Sequence, residues 1–415
     1  MNNESGSFKA RLLKILAIVG PGIITVNAGN DAGGIATYAA AGASYGYDML
    51  WGLLVITVSL AVIQEMNARM AVVTGKGLSD LIREGFGVKW TFFAMLVLLI
   101  ANFGVVLGDF AGIAASMELF GVSKYISVPV SALFIWLLVT KGSYEKVEKV
   151  FLLFTFAFFG YIISAFLAKP DWGQVGRSLI TPVIHNDRAW VLAMIGLIGT
   201  TITPYMQFYL QSAIVDKRLD IKDYKYEKMD VYLGAFWGDA VSFFIIVSTA
   251  ATLHKAGITV DSAKQAALAL EPLAGRFAFI LFGAGLFGAS VLAASVIPLS
   301  TSYAICEAFG WESGVDHDMK EAPAFFGIYT FILILSSVLI LLPGISLMQL
   351  ILVTQQLAGV LCPVILLFMI ILINRKDVMG KYVNGRFQNI ISIVTVLLIS
   401  VLSVILLVSS VFGAR

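Results

Sequence analysis

Apolar runs separated by short polar segments divide the chain into about eleven stretches, each near the roughly 17–25 residues that a bilayer-crossing helix needs. They cover residues 12–44, 48–73, 91–119, 124–140, 147–168, 189–215, 229–253, 275–305, 323–342, 346–373 and 388–412. Between spans 2 and 3, the L-S-D-L-I-R-E pattern within residues 76–89 predicts a short surface helix. Between spans 7 and 8, residues 260–270 predict an amphipathic outer helix.

Two spans break the pattern. Residues 20–34 of span 1 read G-P-G-I-I-T-V-N-A-G-N-D-A-G-G, a run of glycine, proline, asparagine and aspartate that a continuous membrane helix would not choose. A helix broken at membrane depth is predicted, with freed backbone groups and Asp31 facing a polar cavity. Span 6 repeats the interruption at residues 196–205, G-L-I-G-T-T-I-T-P-Y, where the residues around Pro204 carry hydroxyls. Interruptions at corresponding places in two halves point to a transporter's midplane site. Spans 1 and 6 are five apart, so an all-α polytopic membrane fold is expected. Its five-plus-five inverted repeat covers residues 12–168 and 189–373, and span 11 is appended at 388–412, in one domain over 1–415.

Composition agrees with a membrane protein: 59% hydrophobic and 13% charged residues, with mean hydropathy +0.90, exclude a soluble globular domain and disorder. The net charge of +2 is uninformative, but 20 of the 28 Lys and Arg fall in segments that are cytoplasmic if the N-terminus is inside. An N-in, C-out topology follows. Basic residues are scattered over loops, which leaves nucleic acid no footprint. Cys306 and Cys362 lie in apolar segments and read as buried small hydrophobes.

Several polar residues inside spans need an account. Glu65 and Arg69 are spaced i, i+4 and read as a local ion pair. Asp109, near the middle of span 3, is either a pathway residue or a hydrogen-bonded structural acid; Glu118 can reach water. Asp230 lies near the cytoplasmic end of span 7 and reads as solvated, while Asp239 is deeper and stays open. In span 10, Thr354, Gln355 and Gln356 either hydrogen-bond between helices or line an ion path. The G-x-G-x-x-G at Gly283 and the G-x-S-x-G around Ser44 lack the strand contexts of a dinucleotide turn or nucleophile elbow. His185, expected to be a solvated loop residue, His254 and His317 all lie near or beyond span ends, so no enzyme and no resident cofactor are expected.

Asp31 offers a hard anionic oxygen, the unwound backbone offers carbonyls, and Thr200 and Thr203 add neutral oxygens. Such a set suits Mg²⁺, Ca²⁺ or Mn²⁺ and lacks the ligands that favour softer metals. The residues alone also permit an amino-acid or organic-cation symporter, in which Asp31 meets an ammonium group.

The chain resembles the Nramp family of divalent-metal transporters from end to end. The resemblance rests on G-P-G at Gly20, A-T at Ala36, A-A-G-A at Ala40, G-Y at Gly46 and L-W at Leu50. It continues with Gln64, Arg69, V-T-G at Val73, Leu78, R-E at Arg83, M-G at Met379 and V-N at Val383. It implies the LeuT-type fold and a divalent-metal substrate. The family's D-P-G-N stands here as D-A-G-G, with Gly34 in place of the asparagine ligand. Its A-x-x-M-P-H stands as T-T-I-T-P-Y, with Thr203 for methionine and Tyr205 for histidine. This pattern is similar to the Nramp-related Mg²⁺ transporters. It implies a metal set of Asp31, Gly34, Thr200, Thr203 and Ala28, with Asn30, Tyr205, Asp109, Gln355 and Gln356 as pathway or gating candidates.

Loss of a thioether removes a filter against hard ions, and glycine for asparagine leaves room for an ion that keeps its waters. Tyrosine titrates near 10 and is a poor proton relay at neutral pH. A uniporter suffices, because a divalent ion entering against 100 mV, inside negative, gains about 4.6 kcal/mol. The expectation is an alternating-access importer of Mg²⁺ and Mn²⁺, monomeric, in the plasma (inner) membrane. The alternatives are a proton-coupled transition-metal importer and the symporter above.

Overall fold

The computed structural model describes residues 29–140, 159–315 and 317–412. The first half of span 1, including Ala28, and most of span 5 lie outside the described residues. The regular structure among the described residues is all helical, with no strand. Eight helical stretches are long and apolar enough to cross a membrane, and the 17-residue helix Lys124–Thr140 is a shorter apolar one. The chain is a multi-pass integral membrane protein.

The second half of span 1 is α1 (Ala32–Tyr45), followed by α2 (Leu50–Thr74), the short α3 (Leu78–Phe86), α4 (Val88–Glu118) and α5 (Lys124–Thr140). Next come α6 (Phe159–Leu167) and α7 (Trp172–Ile180). Span 6 is two helices, α8 (Arg188–Thr201) and α9 (Pro204–Asp216). The chain continues through α10 (Tyr224–Thr249), α11 (Ala278–Phe309), α12 (Pro323–Ile340), α13 (Leu347–Asn374) and α14 (Arg386–Phe412).

The centre is made by α1, α8, α4, α13 and α10, with α1 in contact with each of the other four. Glycines recur every fourth residue along α4 at Gly104, Gly108 and Gly112, giving a flat face where α13, α11 and α1 come close. Small residues are how membrane helices approach without a hydrophobic driving force between them. At the closest crossing, a Cβ on Gly359 of α13 would stand 2.4 Å from the Ile195 carbonyl of α8. Large apolar side chains on the periphery face outward instead, among them Ile126, Val130 and Leu133 of α5 and Val394, Leu397 and Val401 of α14. This is the surface a lipid-bathed bundle needs.

Several expectations change. The amphipathic helix expected over 260–270 is shorter: Ala263–Ala267 is α-helical and Leu268–Leu270 continues it as a 3₁₀ turn, with Ala263, Ala266, Ala267 and Leu270 on its buried side and Lys264 exposed. The short helix α3 is half core, since Leu78, Ser79, Leu81 and Ile82 are buried. Asp230 is fully buried rather than solvated, because the start of α10 packs against α2 and α9 residues in a small apolar cluster. His185 is tied to Asp48, with Nε2 2.9 Å from Oδ2. The Glu65–Arg69 pair forms as read, but it is no isolated surface pair: Arg69 also donates to the Tyr382 carbonyl and to Asn384 Oδ1, and Glu65 accepts from Tyr224 and Gln388.

Candidate metal site at the two helix breaks

The described part of span 1 begins its helix just after Asp31, which sits in extended backbone (φ −76°, ψ −171°) as the N-cap of α1. Its Oδ1 accepts a 2.8 Å hydrogen bond from the Gly34 amide, satisfying one of the four free N–H groups of a helix start. Capping fixes the carboxylate at the start of α1. Asp31 is 2% exposed.

Span 6 breaks at Ile202 and Thr203. Ile202 leaves the helical region (φ −117°, ψ 69°), and Pro204, which has no N–H to lose, opens α9 at its first position. One side chain from another span and one from span 6 itself stabilise the break. Cys362 of α13 donates its thiol to the Ile202 carbonyl at 2.9 Å, and Gln207 donates to the Thr203 carbonyl at 3.3 Å while accepting from Asn67 of α2 at 2.5 Å. Cys362 is therefore more than an apolar filler.

The two breaks meet. A Cβ on Gly34 would lie 2.8 Å from the Gly29 carbonyl and 3.3 Å from Thr200 Oγ1, which places a backbone oxygen and a hydroxyl beside the Asp31 cap. A Cβ on Gly33 would fall 1.7 Å from Gln355 Nε2, so the amide of Gln355 lies over the start of α1. Asp109 of α4 faces Asp31 and the Ala32 backbone, yet neither of its oxygens closes a hydrogen bond. Tyr205, beside Thr203, faces both carboxylates.

Thr200 Oγ1, Thr203 Oγ1, the Tyr205 hydroxyl, both Asp109 oxygens and both amide atoms of Gln355 are buried with no hydrogen-bond partner. These atoms keep hydrogen-bonding or ligating capacity to offer. The available donors are carboxylate, hydroxyl, amide and carbonyl oxygens. No group of three or more His, Cys, Asp and Glu suited to a metal occurs among the described residues.

Of the expected metal set, Thr200 lies beside the Asp31 cap, and Thr203 stands three residues further on at the span 6 break. Gly34 contributes an amide that holds Asp31, and Ala28 lies outside the described residues. The Gly29 carbonyl joins the site, and no residue type in the sequence marks it. Among pathway candidates, Tyr205, Asp109 and Gln355 are in the cluster. Asn30 is half-buried and accepts from Ser242 of α10 at 3.4 Å. Gln356 points elsewhere: with Thr37, Ala41, Ser44, Leu192 and Gly196 it lines a cavity of about 240 Å³ between α1, α8 and α13. That cavity lies toward the end of α1 at Tyr45. Thr37 is six residues beyond Asp31, about 9 Å along a helix.

The family model described as natural resistance-associated macrophage protein-like matches residues 22–409. The divalent metal cation transporter MntH of Clostridium acetobutylicum is 26% identical over 425 residues, covering 98% of this chain and 94% of that protein. A crystal structure of the Eremococcus coleocola manganese transporter, in complex with an aromatic bis-isothiourea substituted compound, superposes with a TM-score of 0.79 at 19% identity, over 100% of this chain and 90% of that one. The structure of MhsT in complex with L-phenylalanine has a TM-score of 0.52 at 12% identity, over 91% of this chain and 98% of that one. The fold is thus the LeuT type expected from the paired breaks.

Proposed function

The chain belongs to the Nramp family, and from that premise we propose that it imports Mg²⁺, and Mn²⁺ as well, by alternating access and without coupling to protons. The observation that carries this reading is the oxygen-only set at the two breaks: the carboxylate of Asp31, the unpartnered hydroxyls of Thr200 and Thr203, and the Gly29 carbonyl. Hard cations take such ligands, and Mg²⁺ keeps several waters, for which the unsatisfied atoms of Gln355 and Tyr205 are suitable partners. Thr203 offers no soft sulfur, so nothing at that position selects against abundant hard ions. Mn²⁺ generally outbinds Mg²⁺ at similar oxygen ligands and is carried too.

The whole cluster comes from one chain, consistent with a working monomer. The distribution of Lys and Arg supports an N-terminus in the cytoplasm and a C-terminus outside the plasma (inner) membrane. The metal occupies the cluster as cargo: the cavity at Gln356 leads toward it from one face, and rocking of the repeats opens the other.

A proton-coupled importer is the second reading. It is favoured by Asp109, a fully buried acid with two unsatisfied oxygens facing Asp31. Uptake by proteoliposomes loaded with a pH dye decides between the two. Mg²⁺ uptake driven by an inside-negative potential with no internal acidification is expected, and acidification in step with uptake would establish the second reading. Asp31→Ala should abolish uptake; undiminished flux would remove Asp31 from the metal site.

A further inference from the structure

Asp239 lies about midway along α10 and takes no part in the cluster around Asp31. Its neighbours Phe236 and Trp237 face outward, while Asp239 turns toward α1 and α2 and is only 6% exposed. A carboxylate at the middle of an apolar span is costly unless something compensates it. No Lys, Arg or His among the described residues forms an ion pair with it, and its Oδ2 is buried with no hydrogen-bond partner.

Hydroxyls line the approach to Asp239. Thr57 of α2 stands against the carboxylate as a hydrogen-bonding neighbour, and its Oγ1 also donates to the Leu53 carbonyl at 2.8 Å. Tyr38 of α1 is within electrostatic reach of both Asp239 and Asp31. Thr201 gives its single proton to the Leu197 carbonyl at 2.7 Å, so the 2.8 Å contact between Tyr38 and Thr201 is donated by the phenol. Ser242 directs its proton to Asn30 Oδ1 or to the Gly238 carbonyl, each at 3.4 Å. Asp239 Oδ2 stays unpartnered, and each nearby hydroxyl has one proton and two lone pairs, so the oxygens of Thr57 and of Ser242, three residues along α10, are available to a cation bound there. An anionic oxygen among such neutral oxygens is arranged for a hard cation.

The position of Asp239 relative to α1 adds a direction. Thr37, Ala41 and Ser44 turn one side of α1 toward the cavity at Gln356, whereas Tyr38 and Gly42 turn the other side toward α8 and α10. Asp239 does not share that cavity, and it belongs to the opposite leg of the route. We propose that Asp239, with the oxygens of Thr57 and Ser242, is a second station for the transported divalent cation, passing it around Tyr38 between the Asp31 site and the face opposite the Gln356 cavity. This rests on Asp31 being the first station.

The test uses the full-length protein, with Mn²⁺ as probe. Calorimetry in detergent reads binding and proteoliposome flux reads transport for Asp239→Asn, Asp239→Glu, Thr57→Val and Asp31→Asn. Asp239→Asn should bind Mn²⁺ within about threefold of wild type, which also shows that it folds, while its maximal uptake rate falls at least tenfold. Asp239→Glu should restore half or more of the rate, and Thr57→Val should lower it at least threefold. Wild-type flux in Asp239→Asn overturns the proposal, as does loss of binding as complete as in Asp31→Asn. The wild-type to Asp239→Asn rate ratio should also be unchanged when the pH gradient is collapsed; a ratio falling to one would assign Asp239 to protons. Asp31→Asn reports separately on the first station, because wild-type binding by that variant would refute the reading of Asp31 alone.

Discussion

The amide of Gln355 lies against the α-carbon of Gly33, so closely that a Cβ there would stand 1.7 Å from Nε2. The obstructing atoms are the far end of a flexible side chain, and the backbone need not move. Gly33→Ala is therefore expected to fold with a melting temperature near wild type while driving the Gln355 amide away from the Asp31 cap. Both substitutions, Gly33→Ala and Gln355→Ala, should raise the KM for Mg²⁺ uptake by about threefold or more, and the double variant should resemble either single one. Additive effects, or wild-type kinetics in Gln355→Ala, would separate Gln355 from the ion site.

Thr203 and Gly34 are the positions at which this chain departs from the family's ligand pattern, and the structure makes them unequal. Thr203 Oγ1 is buried with no partner, so a thioether there replaces an oxygen with a soft donor. Thr203→Met should raise the ratio of Mn²⁺ to Mg²⁺ uptake at least tenfold, measured by competition in proteoliposomes. Gly34 has less room: a Cβ would sit 2.8 Å from the backbone oxygen of Gly29. Gly34→Asn must displace a carbonyl of the site, so uptake of both metals should fall in that variant alone. Unimpaired Mg²⁺ uptake by Gly34→Asn would show that the Gly29 carbonyl is dispensable.

The break before Pro204 and the helix start after Asp31 were legible from residue types, because Pro204 cannot continue the hydrogen-bonding of α8, and because glycines and Asp31 are poor choices inside an apolar span but good ones at a helix start. Asp31, Thr200 and Thr203 could be picked out for the same reason: each is polar next to a break. The Gly29 carbonyl could not, since every residue has one and only the fold decides which is left unpaired. Nor could the thiol bond from Cys362 to Ile202, which joins residues 160 positions apart. The burial of Asp230 depends on neighbours that periodicity along one segment does not reveal.

Asp80, in the first turn of α3, gives a pH dependence outside the spans. Burial pushes its carboxyl above the usual range; hydrogen bonding with Glu307 and the charges of Lys76 and Arg83 oppose the shift, and Glu84 adds to it. The folded protein thus favours the protonated acid more than the unfolded chain does. Its contribution to stability is fully present below the ordinary carboxylate pKa and is lost as pH rises through the higher folded value. Asp80→Asn, which cannot ionise, should gain in melting temperature relative to wild type between about pH 4 and pH 8. A difference that is constant over that range would show that Asp80 has no raised pKa.

Arg69 and Asn384 join two distant parts of the resemblance, the segment after span 2 and the loop after span 10. Both Arg69 and Glu65 are buried, and removing one partner of a buried pair leaves an uncompensated charge that costs about 3–5 kcal/mol. Arg69→Ala should therefore lower the melting temperature in detergent by several degrees, and Arg69→Lys should recover only part of it, because one ammonium cannot reproduce the guanidinium's bonds to Glu65, Tyr382 and Asn384 together. The decisive variant is Glu65→Gln combined with Arg69→Met, which removes both charges while keeping most of the volume. If the stranded charge is what destabilises Arg69→Ala, the double variant should regain most of the lost stability. If the links to Tyr382 and Asn384 are what matter, it should melt as low as Arg69→Ala.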